Sequence, residues 1–284
     1  VRALKPGEMI ELDFWKGDVF TFSEQSKFWD KLTPDLQKVL KDGKSKGKKK
    51  ERQRIWICVA LDVATRMVLG FGMAESPNER TVIEVLDMVM RDKSDISSLA
   101  DCRMPWSQHC GLGTVIFDTG NEFFNEAVQT AILAAGGSFI LGRAAVPMDK
   151  PFVERFFGGV RTLFADELPG KTGFSARCLV NYDKEGMAAF NAEEFRLLLT
   201  QYIVDHYPQR KHMGLFGKRP IDAWKDAQKY GCVATPPLRV RRNATGLKLT
   251  RMLTKEGVRI CGIPFGDPSL FPKHLRNGKI AVEV

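Results

Sequence analysis

Three strand-like segments open the chain. In residues 8–15 apolar side chains alternate with Glu11 and Asp13, which is the period of a half-buried strand. Residues 55–73 are almost continuously apolar and predict a hairpin of two strands with its turn near 62–66. The polar stretch between these two segments is predicted to be a long connection.

Helices and strands then alternate. The pattern predicts a helix capped by Asn78, a strand at 114–118, a helix at 125–135 stopped by a pair of glycines, and a strand at 138–142. Strands followed by alternating helices and strands are typical of an α/β fold.

A helix is predicted to begin at Pro151, because proline suits the first helical turn and an apolar stripe follows it. Further helices are predicted at 192–206 and 220–230. The stripe consists of Phe152, Val153, Phe156, Phe157, Val160, Leu163 and Phe164.

The composition of the sequence changes after Cys232. Pro236 and Pro237 mark a linker, and the segments beyond it (LRVRR, GLKLTRML, GVRICGIPF and GKIAVEV) are basic, strand-like and separated by turn residues. They predict a small all-β barrel. The expected domains are therefore residues 1–232 and residues 233–284.

Positive charge is concentrated in two segments. Of the net charge of +9, residues 238–284 contribute +7 (ten basic, three acidic) and residues 44–54 contribute +6 (seven basic, one acidic), which leaves about −4 for the rest. Such localised charge favours a polyanionic partner, because each phosphate contact releases counterions. For residues 44–54 a solvated loop is an equally good interpretation.

The sequence favours neither a membrane protein nor a protein stabilised by disulfide bonds. No apolar run approaches the roughly 18 residues that span a bilayer, and no secretory leader is visible, so a soluble cytoplasmic protein is expected. The six cysteines are scattered without a CxxC pair and are expected to be reduced. Cys102, His109 and Cys110 lack an evident fourth ligand for zinc.

Three acidic residues suit phosphodiester chemistry. Asp13 lies in the first strand, Asp118 ends the fourth, and Glu154 lies in the first turn of a helix. Phosphodiester cleavage and strand transfer are in-line displacements that two divalent ions about 3.5–4 Å apart promote. Mg²⁺ prefers carboxylate oxygens. We therefore interpret Asp13 as the bridge between two ions and Asp118 and Glu154 as ligands of one ion each.

Each of these carboxylates also has a structural interpretation. Asp13 could be satisfied by a backbone amide, Asp118 could cap the turn that follows it, and Glu154 could suit the positive end of its helix. The spacing between the last two is weak support, since the chain has 34 acidic residues.

Basic residues near the carboxylates and in the C-terminal segment are candidate DNA contacts. Lys150 and Arg161 fall on the polar face that carries Glu154 and are predicted to hold DNA phosphates. Contacts to the DNA backbone are predicted beyond the linker for Arg239, Arg241, Arg242, Lys248 and Arg251.

Five segments stand out together: ELDFW (11–15), ALDVATRMVLG (60–70), FDTGNEF (117–123), KPFVERFFGGVRTLFADELPG (150–170) and HYPQRKHMGLFGKRPIDAW (206–224). In this order they resemble the catalytic cores of retroviral-integrase-like transposases and integrases, and most closely the Mu transposase branch. The basic β segments at the end resemble the small barrel that follows the core in Mu transposase.

The resemblance implies an RNase H-like core with a mixed five-stranded sheet flanked by helices. It implies catalysis by Asp13, Asp118 and Glu154 with two Mg²⁺ or Mn²⁺ ions when DNA is bound. Glu122 matches an acidic position of the family and is interpreted as a supporting residue that does not bind the metal. Thr119 stands where many relatives have asparagine.

The expected function is DNA transposition or integration: cleavage at the ends of a mobile element and joining of the 3′-hydroxyl to target DNA. The expected partners are double-stranded DNA, further copies of the chain assembled on it, and, in the Mu branch, an ATP-dependent target-selection protein. Two alternatives remain. One is a nuclease or resolvase on the same fold that cuts without joining, and the other is a non-catalytic DNA-binding assembly protein.

Overall fold

The computed structural model forms two compact units, Val1–Thr245 and Gly246–Val284. The division falls further along the chain than the 232/233 boundary predicted from composition. The residues that the structure describes are 3–21, 53–118, 120, 125–142, 150–163, 192–246, 250–254, 256–260, 262–266 and 280–283.

A five-stranded mixed sheet with strand order β3-β2-β1-β4-β5 forms the centre of the first unit. β1, β2 and β3 pair antiparallel, whereas β4 runs parallel to β1 and β5 runs parallel to β4. The predicted α/β architecture with a mixed five-stranded sheet is thus confirmed. The strands are β1 Met9–Thr21, β2 Gln53–Asp62, β3 Val68–Ala74, β4 Thr114–Phe117 and β5 Ser138–Leu141.

Helices flank this sheet. They are α1 Glu79–Val89, α2 Ser94–Leu99, α3 Glu126–Ala134, α4 Pro151–Leu163, α5 Ala192–Gln201, α6 Pro220–Ala227 and α7 Leu238–Thr245. Within the described ranges, none is long and apolar enough to cross a bilayer. The α-helix predicted to reach residue 206 ends at Gln201, continues as a π turn over Tyr202–His206, and gives way to a 3₁₀ turn that contains Pro208.

The sheet has a hydrophobic core on each face. Cys58 and Ala60 of β2 point into the core that contains the apolar sides of α1 and α3, whereas Ile57, Val59 and Leu61 point into the core that contains α4 and α5. A central strand that is covered on both faces is apolar throughout, which explains the continuous apolar run of this segment.

The segment predicted as the first strand beyond the linker is a helix, α7. Arg241 and Thr245, one helical turn apart, both contact Asp87 of α1: the Arg241 Nε lies 3.2 Å from its Oδ1, and the Thr245 hydroxyl donates to the same atom at 3.0 Å. The strand prediction was wrong. The apolar and basic residues of this short segment alternate as in a strand, but the contacts with Asp87 require two side chains that are one helical turn apart.

The described residues of the second unit contain four short strands. They form two antiparallel pairs, β6 with β9 and β7 with β8. A closed barrel remains a prediction for this unit. The strands are β6 Thr250–Leu253, β7 Val258–Ile260, β8 Ile263–Phe265 and β9 Ile280–Glu283.

Lys93 connects α1 to the long loop that precedes β4. Its side chain is fully buried, and its ammonium donates to the carbonyl oxygens of Met88, Arg91 and Gln108 at 2.9, 2.8 and 2.8 Å. Three acceptors around one buried ammonium explain how this charge is tolerated inside the protein.

We expect Lys93→Met to lower the free energy of unfolding by about 3 kcal/mol, because three half-buried carbonyl oxygens lose their donor while the apolar stem is kept. Urea denaturation measures the change. Lys225→Met, at an exposed position of α6, is the matched control and should change the stability by less than about 0.5 kcal/mol. Equal stabilities of the two variants would contradict the structural role of Lys93.

Candidate active site

The strand register brings Asp13 and Asp118 together. β1 and β4 are parallel, with Met9 paired to Thr114 and Glu11 paired to Ile116. Continuing this register by two residues places Asp13 level with Asp118, the residue that follows β4. Two carboxylates from distant parts of the chain therefore meet on neighbouring strands.

Lys150 lies between these two aspartates. Its Nζ is 2.8 Å from the Asp13 Oδ1 and 3.1 Å from the Asp118 Oδ2, and its side chain is almost fully buried. Burial lowers the pKa of Lys150, but the two aspartates outweigh burial and the net shift is upward. One cation thus joins the two strand ends to the residue that precedes α4.

The structure also contains the backbone contacts that were considered as structural roles for Asp13 and Asp118. The Asp13 Oδ1 accepts a hydrogen bond from the Phe14 amide at 2.9 Å. The Asp118 Oδ1 accepts from the Gly120 amide at 3.0 Å and so caps the turn, while its Oδ2 faces Lys150. The turn contact orients the Asp118 carboxylate and leaves one oxygen for a cation.

Glu154 lies one helical turn after Lys150, and its side chain is exposed. Burial raises the pKa of Asp13, an effect that Lys150 opposes and the charge of Asp118 reinforces. The pKa of Glu154 is also raised, first by partial burial and then by the charge of Asp13. Asp13 therefore experiences the charge of Asp118, and Glu154 experiences the charge of Asp13.

Glu11 fixes the start of α4 against the sheet, a role that the sequence analysis missed. It is 2% exposed, and its Oε2 accepts the amides of Phe152 and Val153 at 2.9 and 2.7 Å. These two amides have no partner inside the helix, so the strand supplies the cap. Burial raises the pKa of Glu11, and the two amides oppose that shift.

Removing this cap should loosen α4. We expect Glu11→Ala to lower the free energy of unfolding by about 2 kcal/mol, because two buried amides lose their acceptor. Glu11→Gln keeps one carbonyl oxygen as an acceptor and should lower the free energy of unfolding by a smaller amount. Chemical denaturation compares both with Glu84→Ala, which removes an exposed partner of Arg80 on α1 and should have little effect. If Glu11→Ala matched Glu84→Ala, the capping role would be wrong.

The side chains that the structure brings together supply only part of the ligand set that a divalent cation needs. Within the described residues, no three side chains of His, Cys, Asp or Glu are grouped as a metal site. Asp13 and Asp118, however, converge on a single positively charged atom, the Lys150 Nζ. Mg²⁺ and Mn²⁺ prefer carboxylate oxygens, and the Lys150 ammonium lies between the two carboxylates in this structure.

The remaining predicted site residues are scattered. Arg161 is half-buried on α4, Arg239 and Arg242 are exposed on α7, and Arg251 is exposed on β6. Arg241 forms an ion pair with Asp87, so its charge is balanced inside the first unit. Three predicted features fall outside the described residues: Glu122, Lys248 and most of the basic segment 44–54.

Comparison with known proteins gives two sequence matches. Residues 42–170 match the family described as the TnsB C-terminal domain. This segment includes Asp118, Lys150 and Glu154 and begins after Asp13. The chain is also 18% identical over 219 residues to a transposase of transposon Tn552 from Staphylococcus aureus, which covers 76% of this chain and 42% of that protein. Both matches support a similarity to transposases.

Two solved structures are similar at low identity. An intasome of simian T-cell lymphotropic virus, in complex with a PP2A regulatory subunit, matches with a TM-score of 0.44 at 12% identity, covering 93% of this chain and 67% of that one. The HTLV-2 integrase catalytic core domain in complex with magnesium matches with a TM-score of 0.38 at 12% identity, covering 78% and 99%.

Proposed function

We propose that this chain cleaves DNA at the ends of a mobile element and joins the freed 3′-hydroxyl to target DNA, using divalent metal ions held by Asp13, Asp118 and Glu154. The observation that carries the proposal is the convergence of Asp13 and Asp118 on one cation, the Lys150 Nζ at 2.8 and 3.1 Å. Glu154, one turn along α4, completes the set of carboxylates.

Each residue has a separate role in the proposed reaction. Asp13, Asp118 and Glu154 would hold the divalent ions, with Asp13 shared between them. The chemistry that Mg²⁺ or Mn²⁺ would supply there is activation of the attacking oxygen and stabilisation of the leaving oxygen of the phosphodiester. Glu11 keeps the first turn of α4, and therefore Glu154, aligned with the strand that carries Asp13.

Lys150 has two roles in this proposal. Without metal it neutralises the two aspartates and holds them together. With divalent ions held by the carboxylates, its ammonium would lie beside them and would neutralise a phosphate of the bound DNA. Water and a 3′-hydroxyl attack phosphorus by the same displacement, so one set of carboxylates serves both cleavage and joining.

DNA as the substrate is supported by the transposase that this chain resembles and by the two basic segments. The chain spans about 42% of the length of that curated relative. We therefore also propose that several copies of the chain assemble on element ends. Cooperation with an ATP-dependent target-selection protein is a further proposal, and both are based on the resemblance to transposases. The exposed Arg239 and Arg242 of α7 are proposed contacts to the DNA backbone.

A strand-transfer assay tests the proposal. End-labelled DNA that carries the element termini is incubated with the protein and a supercoiled target in Mg²⁺, Mn²⁺ or EDTA. We expect nicked and joined products in either metal and none in EDTA. Nicks without joined products would support the nuclease alternative. Binding without either product, in the presence of metal and assembled complex, would support a non-catalytic assembly protein and overturn the proposal.

A further inference from the structure

The two most exposed large apolar side chains among the described residues lie in one short loop before α6. Met213 is 90% exposed and Phe216 is 93% exposed. The loop, residues 212–218, is closed at its base by the His212 amide, which donates to the Lys218 carbonyl oxygen at 3.0 Å. The Phe216 amide donates to the Met213 carbonyl oxygen, also at 3.0 Å. Hydrogen bonds therefore hold the backbone of this apolar loop while its two large side chains face solvent.

Neither the backbone nor the core favours phenylalanine at position 216. The residue has a φ of 55°, in the left-handed region where a Cβ costs free energy and glycine does not. A side chain that is 93% exposed gains almost nothing from burial in return. An unfavourable backbone conformation without a gain in burial indicates a contact with a molecule outside this chain.

The apolar loop lies beside α4, the helix that carries Glu154. A Cβ built on Gly214 would lie 4.0 Å from the Arg155 Nη1, and Arg155 directly follows Glu154. Before the loop, the Tyr207 ring packs edge-on against the Phe156 ring of the same helix, with 4.9 Å between the centroids. These contacts hold the loop next to the residue that follows the candidate metal ligand.

The segment around the apolar loop is basic. Residues 206–221 contain four Lys or Arg and no Asp or Glu. Two of the four pair with aspartates of α6, and the other two, Arg210 and Lys211, are exposed. A nucleic acid matches this combination, because its phosphates attract basic groups while its base faces accept apolar and aromatic side chains. A specific protein interface buries roughly 1,000 Å² or more, which two side chains do not supply.

We propose that the apolar loop is a wedge that inserts Met213 and Phe216 between bases of the DNA substrate, next to the cleavage site. The inference rests on the proposed function for the identity of the substrate. Apolar side chains that enter a base step unstack it, and an unpaired base then stacks on the aromatic ring. Every base has a face that can stack in this way, so the loop holds opened DNA without reading its sequence. The wedge positions DNA and contributes no group to the displacement.

Fluorescence anisotropy in EDTA tests the wedge without cleavage, with two probes: a duplex that contains a short unpaired stretch and the same duplex fully paired. We expect the original protein to prefer the unpaired probe by roughly tenfold and Phe216→Gly to lose this preference, because stacking on the ring is removed. The dependence of log affinity on log salt should stay the same, since no phosphate contact is lost. The melting temperature of Phe216→Gly should not fall, because glycine adopts a positive φ without strain.

Two further variants separate stacking from a general loss of apolar surface. Phe216→Trp keeps an aromatic face and should bind the unpaired probe within about twofold of the original protein. Leu99→Ala is the matched control, because it removes a side chain that is 82% exposed at the end of α2. It should leave the affinities for both probes unchanged.

Equal affinity of Phe216→Gly and the original protein for the unpaired probe would overturn the proposal, and so would equal losses on both probes. A change in self-association of Phe216→Gly without DNA, measured by sedimentation velocity at unchanged DNA affinity, would also overturn it, because the loop would then contact a second copy of the chain. Cleavage in Mg²⁺ is a separate measurement, so failure of the catalytic proposal would leave the binding result in EDTA unchanged.

Discussion

Replacing Asp13 by asparagine is expected to lower metal-dependent cleavage and joining by at least about a thousandfold, which corresponds to about 4 kcal/mol in activation free energy. The amide keeps the size of the side chain and its contact with the Phe14 amide, but it loses the negative charge that would bind the proposed ions. Asp118→Asn and Glu154→Gln should show losses of similar size, because the proposed function places all three carboxylates in one metal site. Initial rates of product formation in Mg²⁺ and Mn²⁺ measure the effect.

The matched control is Asp222→Asn, which removes an exposed carboxylate of α6 that pairs with Arg219. This variant should keep full activity, and the Asp13 variant should keep the affinity for duplex DNA in EDTA. Activity of Asp13→Asn within a few-fold of the original protein would show that Asp13 holds no metal. A parallel loss of duplex binding would point to a defect of folding or assembly.

Replacing Lys150 by methionine is expected to destabilise the metal-free protein by about 3 kcal/mol, because Asp13 and Asp118 are left side by side without a cation. For a unit of this size the melting temperature should fall by roughly 6–12 °C. Addition of Mg²⁺ should restore much of this loss, since under the proposed function the two aspartates would hold the ion in place of the ammonium. Mg²⁺ should therefore raise the melting temperature more in the variant than in the original protein.

Lys218→Met is the control for this comparison. Lys218 pairs with Asp226 at 2.8 Å, but both side chains are exposed, so the loss of the pair should change the stability by less than about 1 kcal/mol and should not alter the response to Mg²⁺. If Mg²⁺ stabilised Lys150→Met no more than the Lys218 variant, Lys150 would not occupy the cation position of the site.

Hydrophobic periodicity was sufficient to predict most elements of the first unit. The side chain of Asn78 accepts the Thr81 amide at 2.9 Å, as expected for the cap of α1. Gly136 takes a φ of 86° directly after α3, a conformation that suits glycine at the end of a helix. These features depend on residues close together in the chain, so the local sequence contains the information.

Prediction was weaker where a long-range contact decides the conformation. The segment of α7 alternates enough to suggest a strand, and its contacts with Asp87 were not visible in the sequence. Glu11 was recognised only as a polar residue of a half-buried strand, although it is 2% exposed and caps α4. Its position on the same strand face as Asp13 was the available signal, since an acidic residue in a buried strand requires a partner.

The sequence by itself determined which residue types are present for phosphodiester chemistry and on which kind of element each lies. It placed Asp13 in a strand, Asp118 at a strand end and Glu154 in a first helical turn, because apolar spacing and turn residues define these local structures. Only the tertiary structure decided that Asp13 and Asp118 meet across parallel strands, that Lys150 joins them, and that Glu11 caps α4 from the sheet. These relations depend on strand register and on burial, which arise when distant segments pack and have no counterpart in any local stretch of the chain.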